Sequence, residues 1–409
     1  MNKMKKVPEI RFKEFAEDWE NTDASIIFKT YFDKNHPDLP VLSASQEYGM
    51  IIREDVGFKV QHNKENEAGY KRVLPGQFVI HLRSFQGGFA HSDVEVITSP
   101  AYTIIEFRDK SQQDDIFWKY VLTSKEFIKR LETVTYGVRD GRSISFEDFS
   151  ELGFNVPDIK EQRKIGKTLT VIDTLIRKLE QKLEKLRNIK QSLLNQMFVN
   201  VNRGGYAPLI RFNGYNNKWI MLTLNDISER ITRKNTNNES SLPLTVSAQY
   251  GLINQNDFFN SRIASKDVSG YYLIKNGEFA YNKSSSDGYP FGAVKRLDRY
   301  KMGVLSTLYI IFALNKDKID SDFLSIFFET DKWYEHISQR AAEGARNHGL
   351  LNISSEDFLD LKILTPKSKN EQNLIAGYLS ALGRLVEGTS SKLTKLRTMK
   401  QSLLQKMFV

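Results

Sequence analysis

Four segments of the chain hold side chains of the kind that meet nucleic acid. The first half has His81-Leu82-Arg83-Ser84-Phe85-Gln86-Gly87-Gly88 and Tyr136-Gly137-Val138-Arg139-Asp140-Gly141-Arg142-Ser143. The second half has Asn282-Lys283-Ser284-Ser285-Ser286-Asp287-Gly288-Tyr289 and Glu343-Gly344-Ala345-Arg346-Asn347-His348-Gly349. Glycine lets a backbone come close to a ligand. Arg and Gln bond base edges bidentately, while Ser, Lys and backbone N–H groups suit phosphate oxygens. The candidate DNA contacts are therefore Arg83, Ser84, Gln86, Arg139, Arg142, Lys283, Ser284, Ser285, Arg346, Asn347 and His348. For any one of them, a plain surface loop is the alternative.

Catalytic chemistry has no comparable signal. Gly166-Lys167-Thr168 has the ending of a phosphate loop, but the leading glycine would fall at Glu161, inside a helical pattern. Phe85-Gln86-Gly87-Gly88 lacks the glycine spacing of a dinucleotide turn. No Asp/Asn-Pro-Pro-aromatic run, the base-binding corner of amino-methyltransferases, occurs. The six histidines, at 36, 62, 81, 91, 336 and 348, show no metal-ligand spacing. The chain has no cysteine, which excludes disulfides and thiolate metal sites and suits a reducing cytoplasm.

The 409 residues are enough for about three domains. A net charge of +9 and a pI near 9.2 favour a polyanionic partner. The basic start Met1-Asn2-Lys3-Met4-Lys5-Lys6 runs into Pro8, Glu9, Arg11 and Lys13 with no apolar stretch, so a signal peptide is not expected. No apolar run is long enough to span a membrane.

The elements that must position the candidate loops occur twice. Lys185 to Val199 returns as Lys395 to Val409 with four of fifteen positions changed. The match begins at the N-terminus, where Pro8, Ile10, Arg11, Phe12, Phe15 and Trp19 align with Pro208, Ile210, Arg211, Phe212, Tyr215 and Trp219. Gln46, Tyr48, Gly49 and Ile51 align with Gln249, Tyr250, Gly251 and Ile253, and Gly76 and Phe78 with Gly277 and Phe279. Gly137 and Arg139 align with Gly344 and Arg346, Glu147-Asp148-Phe149 with Glu356-Asp357-Phe358, and Glu161-Gln162 with Glu371-Gln372. The ends of each half agree well and the middles poorly, so the like parts should share a job and the unlike parts should not.

Each middle mixes β-rich runs with turns. Arg72–Ile80 reads as a turn entering a strand, Ala101–Phe107 as a strand, and Gly303–Ala313 as the second copy's strand. Helices of three to four turns follow, with apolar faces from Ile116 to Leu131 and from Phe323 to Ile337.

Each half then ends in a long helix. Ile165, Leu169, Ile172, Ile176, Leu179, Leu183 and Leu186 step by four and three, a heptad seam, and Ile189, Leu193 and Met197 are further apolar positions beyond it. The second copy carries Ile375, Leu379, Leu382, Val386, Thr389, Leu393, Leu396, Met399, Leu403 and Met407, weakened by Gly377, Gly383 and Gly388. About 39 residues make a rod near 58 Å. Two such rods related by a pseudo-two-fold would pack antiparallel. The tails add Leu194, Phe198, Leu404 and Phe408, which a two-stripe coil leaves partly uncovered and which are the expected partner contacts.

This layout resembles the specificity subunits of type I restriction–modification systems. Pro8-x-Ile10-Arg11-Phe12 with Trp19, Pro157 leading to Glu161-Gln162, and the Lys-Leu-rich helix tails carry the resemblance. The tail departs from the family's Lys-Leu-x-x-Leu pattern, since Asn188 and Ile189 stand where it is kept least well. The resemblance implies an α+β fold with two tandem pseudo-symmetric target-recognition domains, separated by an antiparallel coiled coil of two long helices. The expected divisions are 1–158, 159–200, 201–367 and 368–409. It implies a non-catalytic, cytoplasmic reader of a split, asymmetric double-stranded DNA target. The chain would bind no cofactor itself. Its partners would be two copies of a modification subunit carrying S-adenosylmethionine for adenine methylation, and restriction subunits using ATP and Mg to translocate and cut DNA, with no membrane involved. The competing reading is a scaffold that pairs two binding heads through a coiled coil, without nucleic acid.

Overall fold

The computed structural model describes residues 7–45, 49–52, 64–81, 88–134, 145–201, 205–259, 264–341 and 351–408. Two compact units result, Met1–Gln181 with Ser390–Val409, and Lys182–Thr389. Each unit thus contains one globular domain and a part of each long helix. Each long helix is thereby shared between the two units.

In the first unit the chain forms β1 (Glu20–Asp23), α1 (Ala24–Ile27), β2 (Phe28–Tyr31), β3 (Leu42–Ser45), β4 (Gly49–Ile52), β5 (Lys71–Val73), β6 (Phe78–Ile80), β7 (Phe89–His91), β8 (Val96–Thr98) and β9 (Thr103–Phe107). Next come α2 (Asp115–Leu122), α3 (Lys125–Val134), α4 (Phe146–Ser150), β10 (Gly153–Val156) and α5 (Ile159–Met197), which continues into the second unit. A four-stranded antiparallel sheet of order β2-β9-β6-β7 carries the domain, beside the pairs β3-β4, β5-β8 and β1-β10. Phe28, Phe78, Phe89, Phe107, Phe117, Trp118 and Phe149 fill the core on one face of this sheet. The expected single helix after the strands is two, because Ser124 accepts a bond from Phe127 N and starts α3 anew.

The second unit repeats this plan. Its elements are β11 (Ile220–Thr223), α6 (Leu224–Ile227), β12 (Ser228–Ile231), β13 (Leu244–Ser247), β14 (Gly251–Asn254), α7 (Gln255–Phe259), β15 (Tyr272–Lys275), β16 (Phe279–Asn282), β17 (Ala293–Arg296), β18 (Met302–Leu305) and β19 (Ile310–Leu314). They are followed by α8 (Ser321–Phe327), α9 (Tyr334–Arg340), α10 (Ser355–Leu359), β20 (Lys362–Thr365) and α11 (Lys369–Lys406). The sheet order is β12-β19-β16-β17, the same order as in the first unit. Gly303–Ala313, expected as one strand, is divided between β18 and β19.

The positions kept alike between the copies explain themselves. Gly76 and Gly277 have φ of +83° and +84°, a left-handed turn that admits glycine at little cost. Ser145 and Asp148 form a capping box on α4, and Ser354 caps α10 by accepting from Asp357 N. Phe149 and Phe358 follow these caps and are fully buried.

At the start of α5, Glu161 is 1% exposed, accepts from Arg11 Nε and Nη2 at 2.8 and 2.7 Å, and accepts from Trp19 Nε1 at 3.2 Å. Glu371 repeats this at α11, with Arg211 at 2.6 and 2.9 Å and Trp219 at 3.3 Å. Gln162 and Gln372 fix the next turn, accepting from Asp114 N and Asp320 N and donating to Pro157 O and Pro366 O. These two latches tie each copy's N-terminal segment to the start of its own long helix.

Within each unit the two helix portions run antiparallel. In the first, Arg397 pairs with Glu180 at 2.5 Å and Lys400 with Asp173 at 2.5 Å, while Met407 joins the cluster around Ile165 and Leu169. In the second, Leu194 and Met197 pack in one cluster with Ile375, Ala376 and Leu379. Ile10 N bonds Lys406 O in the first unit, and Ile210 N bonds Gln196 O in the second. The three glycines of α11 do not interrupt it. Ile189 and Met399, expected in the packing stripe, are 39% and 45% exposed.

Candidate nucleic-acid interface

Two of the four predicted contact segments lie between β6 and β7 and between β16 and β17, while 136–143 and 343–349 lie outside the described residues. Of the candidate residues, Lys283, Ser284 and Ser285 are described. Arg83, Ser84, Gln86, Arg139, Arg142, Arg346, Asn347 and His348 lie outside the described residues. In the first unit the loop is closed at its base, where His81 N bonds Gly88 O at 3.2 Å and Gly88 N bonds the His81 ring at 3.3 Å. Burial holds the His81 imidazole below its ordinary pKa.

The second unit shows the loop in full. Asn282 Oδ1 accepts from Ser284 N at 3.0 Å, and its amide donates to Val246 O at 3.2 Å. Ser286 and Tyr289 exchange backbone bonds of 3.1 and 2.8 Å around Asp287-Gly288, with Gly288 at φ +75°. Glycine at 288 supplies the left-handed conformation this turn needs. Gly292 is required where the loop rejoins β17, since a Cβ there would lie 2.1 Å from Asn282 O. Lys283 is half-buried. Its carbonyl accepts from Leu351 N at 3.0 Å, and its ammonium turns towards Ile353 O at 3.5 Å. The loop is therefore a braced hairpin.

Beside it lies a cavity of 360 Å³, lined by Thr245–Tyr250, Phe258, Phe259, Asn282, Ser284–Asp287, Tyr289 and Ala293. Sequence reasoning placed Ser284 and Ser285 here but missed the aromatic wall. The signal was available in Tyr250, which both copies keep and which is 57% exposed.

The sheet edges that support the loops differ in charge chemistry. On β7, His91 is buried, with Nε2 2.8 Å from Asp115 and Nδ1 3.2 Å from Asp93. Burial opposes its charge, but the two carboxylates outweigh it and raise the imidazole pKa. By strand register His91 faces Phe78 as Arg296 faces Phe279. Arg296 bonds Asp298 at 2.6 Å and Asp322 at 2.7 Å, a clamp that does not titrate near neutrality.

The partner-contact expectation needs correction. Leu194 and Phe198 are each 3% exposed and belong to the second unit's core, where Phe198 packs on Phe323 and Phe327. The globular domain, not a partner, covers them. Leu404 and Phe408 are half-buried against the first unit's core, Phe408 on Phe117, and line a 330 Å³ groove with Phe127, Arg130 and Phe154. Among the described residues no cluster of side chains could hold a metal ion, and no helix is long and apolar enough to cross a membrane.

Residues 5–188 match the family model of the type I restriction modification DNA specificity domain. The fold is similar to that of the type I restriction–modification S subunit from M. genitalium, with a TM-score of 0.60 at 14% identity over 98% of this chain and 99% of that one. The HsdS subunit from Thermoanaerobacter tengcongensis aligns over 95% of this chain and 96% of its own, with a TM-score of 0.47 at 13% identity. The first half of the chain thus matches the type I DNA specificity domain, and the whole chain shares the fold of a type I S subunit.

Proposed function

We propose that the chain reads a bipartite, asymmetric double-stranded DNA target, one half with each unit, and catalyses nothing itself. One observation carries this reading. The two units share their latches, caps and sheet order, yet the hairpin that leaves each central sheet differs in sequence, His81–Gly88 against Asn282–Tyr289. Like scaffolds present unlike loops, which suits two different half-sites.

Two copies of one modification subunit would complete the complex. Support comes from exposed apolar side chains at equivalent places. The first unit exposes Leu175 and Met399, at 46% and 45%, and the second exposes Leu385 and Ile189, at 56% and 39%. Their pairing by the internal repeat makes them better partner contacts than the buried Leu194 and Phe198. The modification subunits would carry S-adenosylmethionine and methylate adenine, and restriction subunits would bring ATP and Mg, all in the cytoplasm. Methylome sequencing of a host with and without the gene tests this. A split methylated motif should appear only with the gene, and an unchanged methylome in the presence of the modification subunits would contradict it.

A further inference from the structure

We propose that the 360 Å³ cavity of the second unit is a base-reading pocket, in which Asp287 accepts a hydrogen bond from the exocyclic amino group of a cytosine or adenine. The inference rests on the DNA-reading function above and names the residues that select within it.

The chemistry of the lining singles out a base over a phosphate. Hydroxyls from Thr245, Ser247 and Ser284, the Asp287 carboxylate and four aromatic rings line the cavity, and no Lys or Arg does so among the described residues. Lys283, the nearest cation in sequence, turns its ammonium back to Ile353 O. A carboxylate without a cation repels phosphate but accepts well from the amino groups of cytosine N4 or adenine N6. Asp287 is exposed at the tip of its turn and has no hydrogen-bond or ion-pair partner among the described residues.

The wall opposite is apolar and exposed. Tyr250 is 57% exposed and Phe258 43%, and Phe258 meets Phe259 edge-on with ring centroids 4.8 Å apart. Single exposed apolar residues need no explanation, but aromatic rings gathered at one polar cavity of a DNA reader do. Such rings suit a base face or a thymine methyl. Tyr250 is kept in both copies while the Asp287 hairpin is not. The division of labour follows: the tyrosine serves a contact common to both half-sites, and the hairpin tip makes the selection.

The test uses the full chain with its modification subunits and a pool of duplexes randomised across the target. Asp287→Asn suits it because Asn has the shape of Asp and Gly288 still supplies the positive φ of the turn. Asn both donates and accepts, so discrimination against guanine and thymine should fall roughly five- to a hundredfold at one position of one half-site. The other half-site should be read as before. Tyr250→Ala should weaken binding without changing the preferred bases. If Asp287→Asn selects the parent's bases at every position, or loses selectivity in both half-sites, the pocket assignment is wrong while the DNA-reading function stands. If the parent complex itself selects no sequence, both fall.

Discussion

The two glutamate latches should be the most sensitive points of the scaffold, and each should fail alone. Glu161→Ala removes a carboxylate that is 1% exposed and leaves the Arg11 guanidinium and the Trp19 N–H without their acceptor. Breaking a buried ion pair by deleting one partner costs about 3–5 kcal/mol. Arg11 is 12% exposed, so water recovers a little of that loss and places the cost near the lower figure. In a unit of this size about 3 kcal/mol corresponds to a fall of roughly 6–12 °C in melting temperature. Glu161→Gln retains an acceptor and should lose about half as much. The assay is hydrogen exchange by mass spectrometry on the full chain in increasing urea. Glu161→Ala should expose peptides around Trp19, β10 and the first turns of α5 at lower urea, with those around Trp219 and β20 unchanged. Glu371→Ala should do the reverse. If Glu161→Ala shifts the first unit by less than about 0.5 kcal/mol, as an ordinary surface change would, the latch has no structural weight.

The clamp on β7 makes the first unit pH-sensitive. The folded pKa of His91 is raised, so its contribution is complete below the unfolded value of about 6.5 and is lost as pH rises through the folded one. Asp93 and Asp115 are held low, so theirs is present above the unfolded carboxylate pKa and lost as pH falls through the folded value. The urea midpoint of the parent should fall as pH rises above about 6.5, and His91→Gln should abolish that fall; equal falls in both would contradict it. Phe198→Ala should destabilise the second unit by about 3–5 kcal/mol, measured by urea denaturation, whereas Ile189→Ser and Leu385→Ser should leave the fold within about 0.5 kcal/mol and weaken capture of modification subunits in a pull-down. Inserting four residues in both long helices, about 6 Å of rod, should lengthen the tolerated gap between half-sites by one or two base pairs, read from the methylated motif.

Much of this architecture was legible because the chain carries its own comparison. Gly76 and Gly277, Asp148 and Asp357, and Glu161 and Glu371 stood out as kept alike, and each serves a turn, a cap or a latch that tolerates little else. The long helices were legible from their period and lack of proline. Tertiary packing accounts for what was misread. Leu194 and Phe198 seemed spare only when the rods were considered against each other, because sequence periodicity carries no sign of a globular domain closing over a helix end. Ile189 and Met399 were counted in the stripe, yet both are exposed, since each follows the preceding leucine by three residues where the heptad calls for four. The Asn282–Tyr289 hairpin was singled out by composition. Its aromatic wall was not, because Tyr250 and Phe258 come from another hairpin and a short helix that only the fold brings to the same cavity.

The central claim, that two like scaffolds read two unlike half-sites independently, is tested most directly by domain exchange. Residues 20–158 would be replaced by the corresponding domain of a relative with a different target, and the methylome of the host sequenced. One half of the methylated motif should change and the other should be retained base for base. A motif altered in both halves would contradict the account.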